Sequence, residues 1–134
     1  MPEEMKHGLI ISESDYRRLS HLVDVSRSTA TYELDEELAK ADICPDQSLP
    51  GNVVALYDSV VFRDMKTDAE KTVTIVMPWE SSVTKLRISI LSPVGTALIG
   101  EPLGAVINWP LLNGRSAQLQ IVEIKRSREV AQHG

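Results

Sequence analysis

The sequence predicts an α+β fold: a short antiparallel helical hairpin, then a small curved antiparallel sheet with one short helix across it. Three observations predict it. Between residues 16 and 41 apolar positions recur at three- and four-residue spacing, the mark of helices with one buried face. Beyond Gly51 the pattern turns to alternation, with Thr72, Thr74 and Val76 set against Val73, Ile75 and Met77, the period of a half-buried strand. The charge changes at the same place. Residues 1–59 carry 5 Lys+Arg and 12 Asp+Glu, residues 60–134 carry 9 and 7, so an acidic half precedes a mildly basic one.

The elements follow in order. After the apolar run Leu9-Ile10-Ile11, Ser12 is an N-cap, and Glu13 and Asp15 suit the positive end of a helix dipole. Tyr16, Leu19, Leu22 and Val23 share one face, with Arg17, Arg18 and Ser20 on the other. Turn and cap residues from Asp24 to Thr29 break the pattern, which places the hairpin tip at Asp24, Val25, Ser26, Arg27 and Ser28. Ala30, Leu34, Leu38 and Ala41 mark a second helix; its early acidic residues Glu33, Asp35, Glu36 and Glu37 favour a helix N-terminus, and Glu36 is placed to pair with Lys40. Two arms of this kind are each only ~18 Å long.

Cys44-Pro45 and Pro50-Gly51 bracket a loop, because a residue before proline is pushed out of the helical region. Asn52–Tyr57 is expected as an edge strand. Ser59–Arg63 and Lys71–Met77 are strands separated by the polar turn 64–70. Leu86–Leu91 alternates in the same way until Ser92-Pro93 stops it and opens a short helix, Val94–Ile99, ended by a left-handed Gly100. Ala105–Trp109 and Gln118–Lys125 close the sheet around Asn113-Gly114, a strong hairpin signal. The expected division is 1–50 for the hairpin and linker and 51–134 for the sheet domain, with no internal repeat.

Composition bounds the function. The 134 residues are 43% hydrophobic and 25% charged, which suits one globular unit with a real core. A net charge of −5 argues against gripping phosphate backbones, so no direct sequence-specific nucleic-acid partner is expected. A single Cys excludes an internal disulfide and any zinc site needing two thiolates. No apolar stretch approaches the ~18 residues of a membrane span, and the start Met1-Pro-Glu-Glu-Met-Lys6 is no export leader. The expectation is a soluble cytoplasmic protein without membrane contact. The absence of a long heptad run favours a monomer.

Candidate catalytic groups are few. His7, His21 and His133 are scattered, with His21 beside the apolar stripe of the first helix. Cys44 has no neighbouring His that would activate it. Gly95, Gly100 and Gly104 do not form a phosphate cradle. The carboxylates Glu33–Glu37 read as helix-dipole partners rather than metal ligands. No catalytic residue, metal or cofactor is expected.

The stretch Ser92-Pro-Val-Gly-Thr-Ala-Leu-Ile-Gly-Glu-Pro-Leu-Gly-Ala-Val-Ile-Asn108 resembles the C-terminal domain of the bacterial Gre transcript-cleavage factors, in which Ser-Pro is followed by Ala-Leu-(Leu/Ile)-Gly and an alternating strand. Gly51-Asn-Val-Val, Asp58–Phe62, Thr72–Val76 and Leu119–Ile124 fall where that domain has its strands, so the resemblance covers roughly residues 51–126. The short hairpin, with Asp42-Ile-Cys-Pro45 after it, is similar to the Rnk family, regulators of nucleoside diphosphate kinase with a stunted finger on a Gre-like, FKBP-type domain.

The resemblance implies a partner, RNA polymerase, at the entrance of its secondary channel, with Ser92, Pro93, Val94 and Gly95 at the contact and competition with Gre factors. In Gre factors two carboxylates at the fingertip hold the second catalytic Mg²⁺, which needs hard oxygen ligands. Here the tip offers Asp24 beside Arg27, whose cation repels the ion, and Asp35-Glu36-Glu37 lie on the returning helix. The implied function is occupation of the Gre site without stimulated cleavage, with no enzymatic activity. Two other readings stay open: an FKBP-like peptidyl-prolyl isomerase, which the six aromatic residues equip poorly for an aromatic pocket, and a binding module for another protein, such as the kinase.

Overall fold

The computed structural model describes residues 9–111 and 113–126; Met1–Lys6, His7 and His133 lie outside them. The chain begins with β1 (Ile10–Ser12), α1 (Glu13–Ser26), α2 (Thr29–Lys40) and β2 (Asp42–Cys44). A 3₁₀ turn (Asp46–Ser48) leads into β3 (Ser59–Asp64) and β4 (Glu70–Val76). A second 3₁₀ turn (Pro78–Glu80), β5 (Arg87–Ser89), α3 (Pro93–Leu98), β6 (Val106–Pro110) and β7 (Ser116–Lys125) complete it. The α+β class is as the sequence predicts.

Helix α1 starts where Ser12 Oγ accepts the Asp15 N–H at 3.2 Å, while Asp46, from the loop, accepts the Ser14 N–H at 2.9 Å. Two of the unpaired donors of the first turn are thereby satisfied. The hairpin turn is tighter than the sequence suggests. Asp24, Val25 and Ser26 still belong to α1, and only Arg27 and Ser28 link it to α2. Arg27 takes the left-handed conformation, φ 45°, and its N–H returns to Val23 O. Ser28 and Thr31 then cap α2 reciprocally, side chain to backbone in both directions. Lys40 pairs with Glu37 at 3.9 Å rather than with Glu36. At 14 and 12 residues the arms are roughly 21 and 18 Å long.

Two expectations about strands are corrected. Asp42–Cys44, where the sequence predicts no strand, pairs parallel with β1, Ile11 facing Ile43, and ties the two ends of the hairpin together at its base. Asn52–Tyr57 is not an edge strand; only the bridge Val53 to Pro102 forms. Its backbone donors go elsewhere: Ala55 N–H to the Asp58 carboxylate, Leu56 N–H to Asp15, Tyr57 N–H to Ile75 O. With side chains taking the Ala55 and Leu56 donors, no continuous ladder is left to build.

The main sheet has the order β5-β4-β3-β7-β6. Strand β3 is antiparallel to β4 and β7, and β6 to β7, but β5 runs parallel to β4, so the sheet is mixed rather than purely antiparallel. The reason lies in the connection. Pro78 ends the path of β4, and a tight turn pairing Ser82 with Arg87 reverses the chain once more before β5. Leu19 and Leu22 of α1, Leu34 and Leu38 of α2, Val60, Phe62, Ile75 and Ile121 of the sheet, and Leu98 of α3 form one continuous core. Each such side chain contributes about 1.5–3 kcal/mol by leaving water.

Candidate functional site

The first candidate is the junction between β5 and α3. Ser92 Oγ accepts the Gly95 N–H at 3.0 Å and donates to Ser89 O at 2.7 Å, and Pro93 occupies the first helical position. Thr96 Oγ1 donates to Ile90 O at 2.7 Å. Gly95 is required by close approach: a Cβ there would lie 2.3 Å from Ser89 O. The junction is therefore built around its own backbone. Of the four residues expected to make a contact, Val94 and Gly95 are buried, Ser92 is half-buried with its hydroxyl committed, and Pro93 alone is exposed.

The junction is joined to the hairpin. Gly100, at φ 82°, follows α3; its N–H donates to Val54 O and its carbonyl accepts the Ile10 N–H. Beside it Asp15 Oδ2 accepts the Leu56 N–H at 3.1 Å, a bond from α1 to the segment leading into the sheet. Burial pushes the Asp15 carboxyl up, and this outweighs the opposing effects of the Leu56 bond and the Arg18 charge. Asp46 is held below its ordinary value by its bonds to Ser14. Glu101 is pushed up by burial and by the charge of Glu37 on α2.

Next to Asp15, the Arg126 guanidinium grips the buried Asp58 carboxylate with Nε at 3.1 Å and Nη2 at 2.9 Å. Nη2 also donates to Val53 O at 2.8 Å and Nη1 to Pro50 O at 3.3 Å. This fork pins the segment after the hairpin to the end of β7. Tyr57, at φ 74°, donates its hydroxyl to Glu80, and burial followed by that bond pushes the hydroxyl up to about 12.

The second candidate is the hairpin tip. Asp24, Val25, Ser26, Arg27 and Ser28 are all exposed. A cleft of about 410 Å³ there is lined by Asp24, Arg27, Thr31, Tyr32 and Asp35, among others. Asp35 lies on the returning helix α2, as its place in the sequence implies, and lines the same cleft as Asp24. Arg27 lines the same cleft, with Nε donating to Asp24 O. A guanidinium lining the same cleft as the acids makes it a poor donor set for Mg²⁺. Among the described residues no three His, Cys, Asp or Glu side chains converge as metal ligands.

The remaining candidates are dispersed. His21 is exposed on α1, and Cys44 is half-buried at the end of β2. Trp109 is half-buried and meets Phe62 edge-on, 5.7 Å between ring centres at 83°, while Trp79 is exposed. Among the described residues no helix is long and apolar enough to cross a membrane. Sequence reasoning missed Asp58, Tyr57 and Arg126, and read Asp15 only as a dipole partner. Their contacts span 41 and 68 residues, and no local pattern signals them.

The family model "Transcription elongation factor, GreA/GreB, C-term" matches residues 49–126. The Regulator of nucleoside diphosphate kinase from Escherichia coli K12 is 28% identical over 126 residues, covering 92% of this chain and 93% of that protein. Transcription elongation factor GreA from Mesorhizobium japonicum is 31% identical over 125 residues, 92% of this chain and 77% of its own. Among solved structures, a prokaryotic transcription elongation factor GreA/GreB from Nitrosomonas europaea superposes with a TM-score of 0.79 at 33% identity, covering 88% of this chain and 98% of that one.

Proposed function

The chain belongs to the GreA/GreB family of transcription elongation factors, and from that premise we propose that it is a non-enzymatic RNA polymerase-binding regulator that occupies the Gre site without stimulating transcript cleavage. The observation that carries this reading is the contrast between a rigid junction that presents Pro93 and a tip whose one carboxylate, Asp24, lines a cleft with Arg27. Docking resides in residues 51–134, with Pro93 and the edge of Ser92 as the contact; Val94 and Gly95 shape it from within. Residues 1–50 reach toward the secondary channel of the polymerase on arms too short for a deep entry. The protein acts as a monomer in the cytoplasm and competes with Gre factors. The link to nucleoside diphosphate kinase, carried by the name of the E. coli relative, is an effect on kinase level through transcription.

The structure dictates which variant tests docking. Ser92→Ala removes an N-cap and costs about 1 kcal/mol, so it mixes stability with contact. Pro93→Asp changes an exposed side chain at a position that tolerates any good first-turn residue. Co-elution with core RNA polymerase is expected for the wild type and lost for Pro93→Asp; equal co-elution of both overturns the docking assignment. In stalled elongation complexes the protein should leave transcript cleavage at its intrinsic rate, and cleavage well above that rate overturns the second half.

A further inference from the structure

A second apolar surface lies outside both candidates. The 3₁₀ turn and the loop after it expose Trp79 at 72%, Val83 at 90% and Leu86 at 56%. Three large apolar side chains facing water within eight residues make more than the scattered exposure of an ordinary surface. Val83 and Leu86 line a groove of about 230 Å³ with Val73, Ile88 and Trp109. The register places Ile88 beside Ile75, Val73 beside Val60 and Lys71 beside Phe62. Its floor is therefore the core-facing side of the sheet, left open near β5. The groove is smaller than the ~300–1,000 Å³ of a metabolite or cofactor site and suits a single anchoring side chain.

The groove is held in shape. Leu86 sits in the left-handed region at φ 56°, where a residue with a Cβ is strained by roughly 1–2 kcal/mol. That strain is maintained by the Ser82–Arg87 pairing and by Thr74 N–H donating to Leu86 O at 2.9 Å. On the other side, Glu80 accepts both the Tyr57 hydroxyl and the Met77 N–H, fixing the turn that carries Trp79. Strained backbone over-determined by its surroundings collects at ligand sites.

The charges select the occupant. Lys71 and Arg87 line the groove, Lys85 lies in the turn between Val83 and Leu86, and no carboxylate is among the lining residues. Lys71 Nζ stands 5.0 Å above the Trp109 ring, where an incoming carboxylate would meet the cation and an apolar side chain the ring. We propose that this groove docks an acidic segment of a partner protein, one aliphatic or aromatic side chain seated between Trp109, Val83 and Leu86 and flanking carboxylates on Lys71 and Arg87. A surface of this kind is an anchor pocket with a charged rim. It carries a second partner, beside the contact made through Pro93.

The test uses the full chain with Trp79→Phe, which leaves Trp109 as the tryptophan that reports. Two synthetic peptides serve as probes, each with a central Phe-Leu pair, one flanked by glutamates and its twin by lysines. The glutamate peptide should shift Trp109 emission saturably, and the lysine twin should bind at least about tenfold more weakly. Val83→Ser, at a position facing solvent, and Lys71→Ser with Arg87→Ser should each weaken the glutamate peptide about tenfold (about 1.4 kcal/mol). The proposal is overturned by no saturable response, by equal response to both peptides, or by binding insensitive to Val83→Ser. It is also overturned if the protein self-associates in sedimentation and Val83→Ser abolishes that, because the groove is then an interface between copies.

Discussion

The two ends of the helical hairpin are built on opposite terms. At the base, beside the β5–α3 junction, side chains are consumed by the fold: Ser92 by Gly95 and Ser89, Asp15 by Leu56, Asp58 by Arg126. At the tip, Asp24, Val25, Ser26, Arg27 and Ser28 all face water. The base can change only with the fold, whereas at the tip Ser28, as the cap of α2, is the residue tied to the fold and Asp24, Val25 and Ser26 can change with little structural cost. The family match, over residues 49–126, therefore speaks to the architecture of the base and the sheet and leaves the tip outside it.

Substitutions can break that comparison. The largest effect is expected at Arg126→Ala, which removes the guanidinium fork from the buried Asp58, a carboxylate that still accepts the Ala55 N–H, and should cost up to about 3 kcal/mol in urea unfolding. Gly95→Ala comes next, because the new Cβ meets Ser89 O at 2.3 Å and Ile90 Cα at 3.0 Å. Overpacking of that kind costs about 1–3 kcal/mol or more, and a Tm equal to wild type would mean that α3 stands off the sheet.

Asp15 sharpens the comparison through pH. Burial raises its carboxyl above the ordinary 3.8, so the folded state binds the proton more tightly than the unfolded state. Its contribution is most favourable below 3.8, falls as pH rises through the folded value, and is flat above it. Asp15→Asn keeps an acceptor for the Leu56 N–H and loses this dependence. Its stability relative to wild type should rise with pH across that window in paired unfolding titrations, whereas a constant difference would contradict a buried, raised carboxyl. The smallest effect belongs to the tip: Arg27→Gly relieves a left-handed residue at φ 45° and should stabilise by up to about 1 kcal/mol. Destabilisation there would show the tip to be tied into the fold like the base.

The helices were legible because their signals are local. Ser12 caps where its position predicts, and Leu19, Leu22, Leu34 and Leu38 are buried as their spacing requires. The strands from Ser59 onward were legible for the same reason. What escaped was set by distant partners. Asn52–Tyr57 has a strand's composition, but Asp15 and Asp58 take the Leu56 and Ala55 donors in its middle. The parallel placement of β5 depends on a reversal at Leu86, a residue type that carries no turn signal. At the candidate site the sequence located the Ser-Pro junction and left the direction of each side chain open; packing against β5 turns Val94 and Gly95 inward and Pro93 out.

The central claim, that this chain binds RNA polymerase at the Gre site through the β5–α3 junction, is tested most directly by displacement. A labelled Gre factor bound to core RNA polymerase is titrated with the wild-type protein, Pro93→Asp and Arg27→Gly. The account predicts displacement by wild type and by Arg27→Gly at similar concentrations, and its loss for Pro93→Asp. Displacement by Pro93→Asp as effective as wild type, or none by wild type at any concentration, would contradict it.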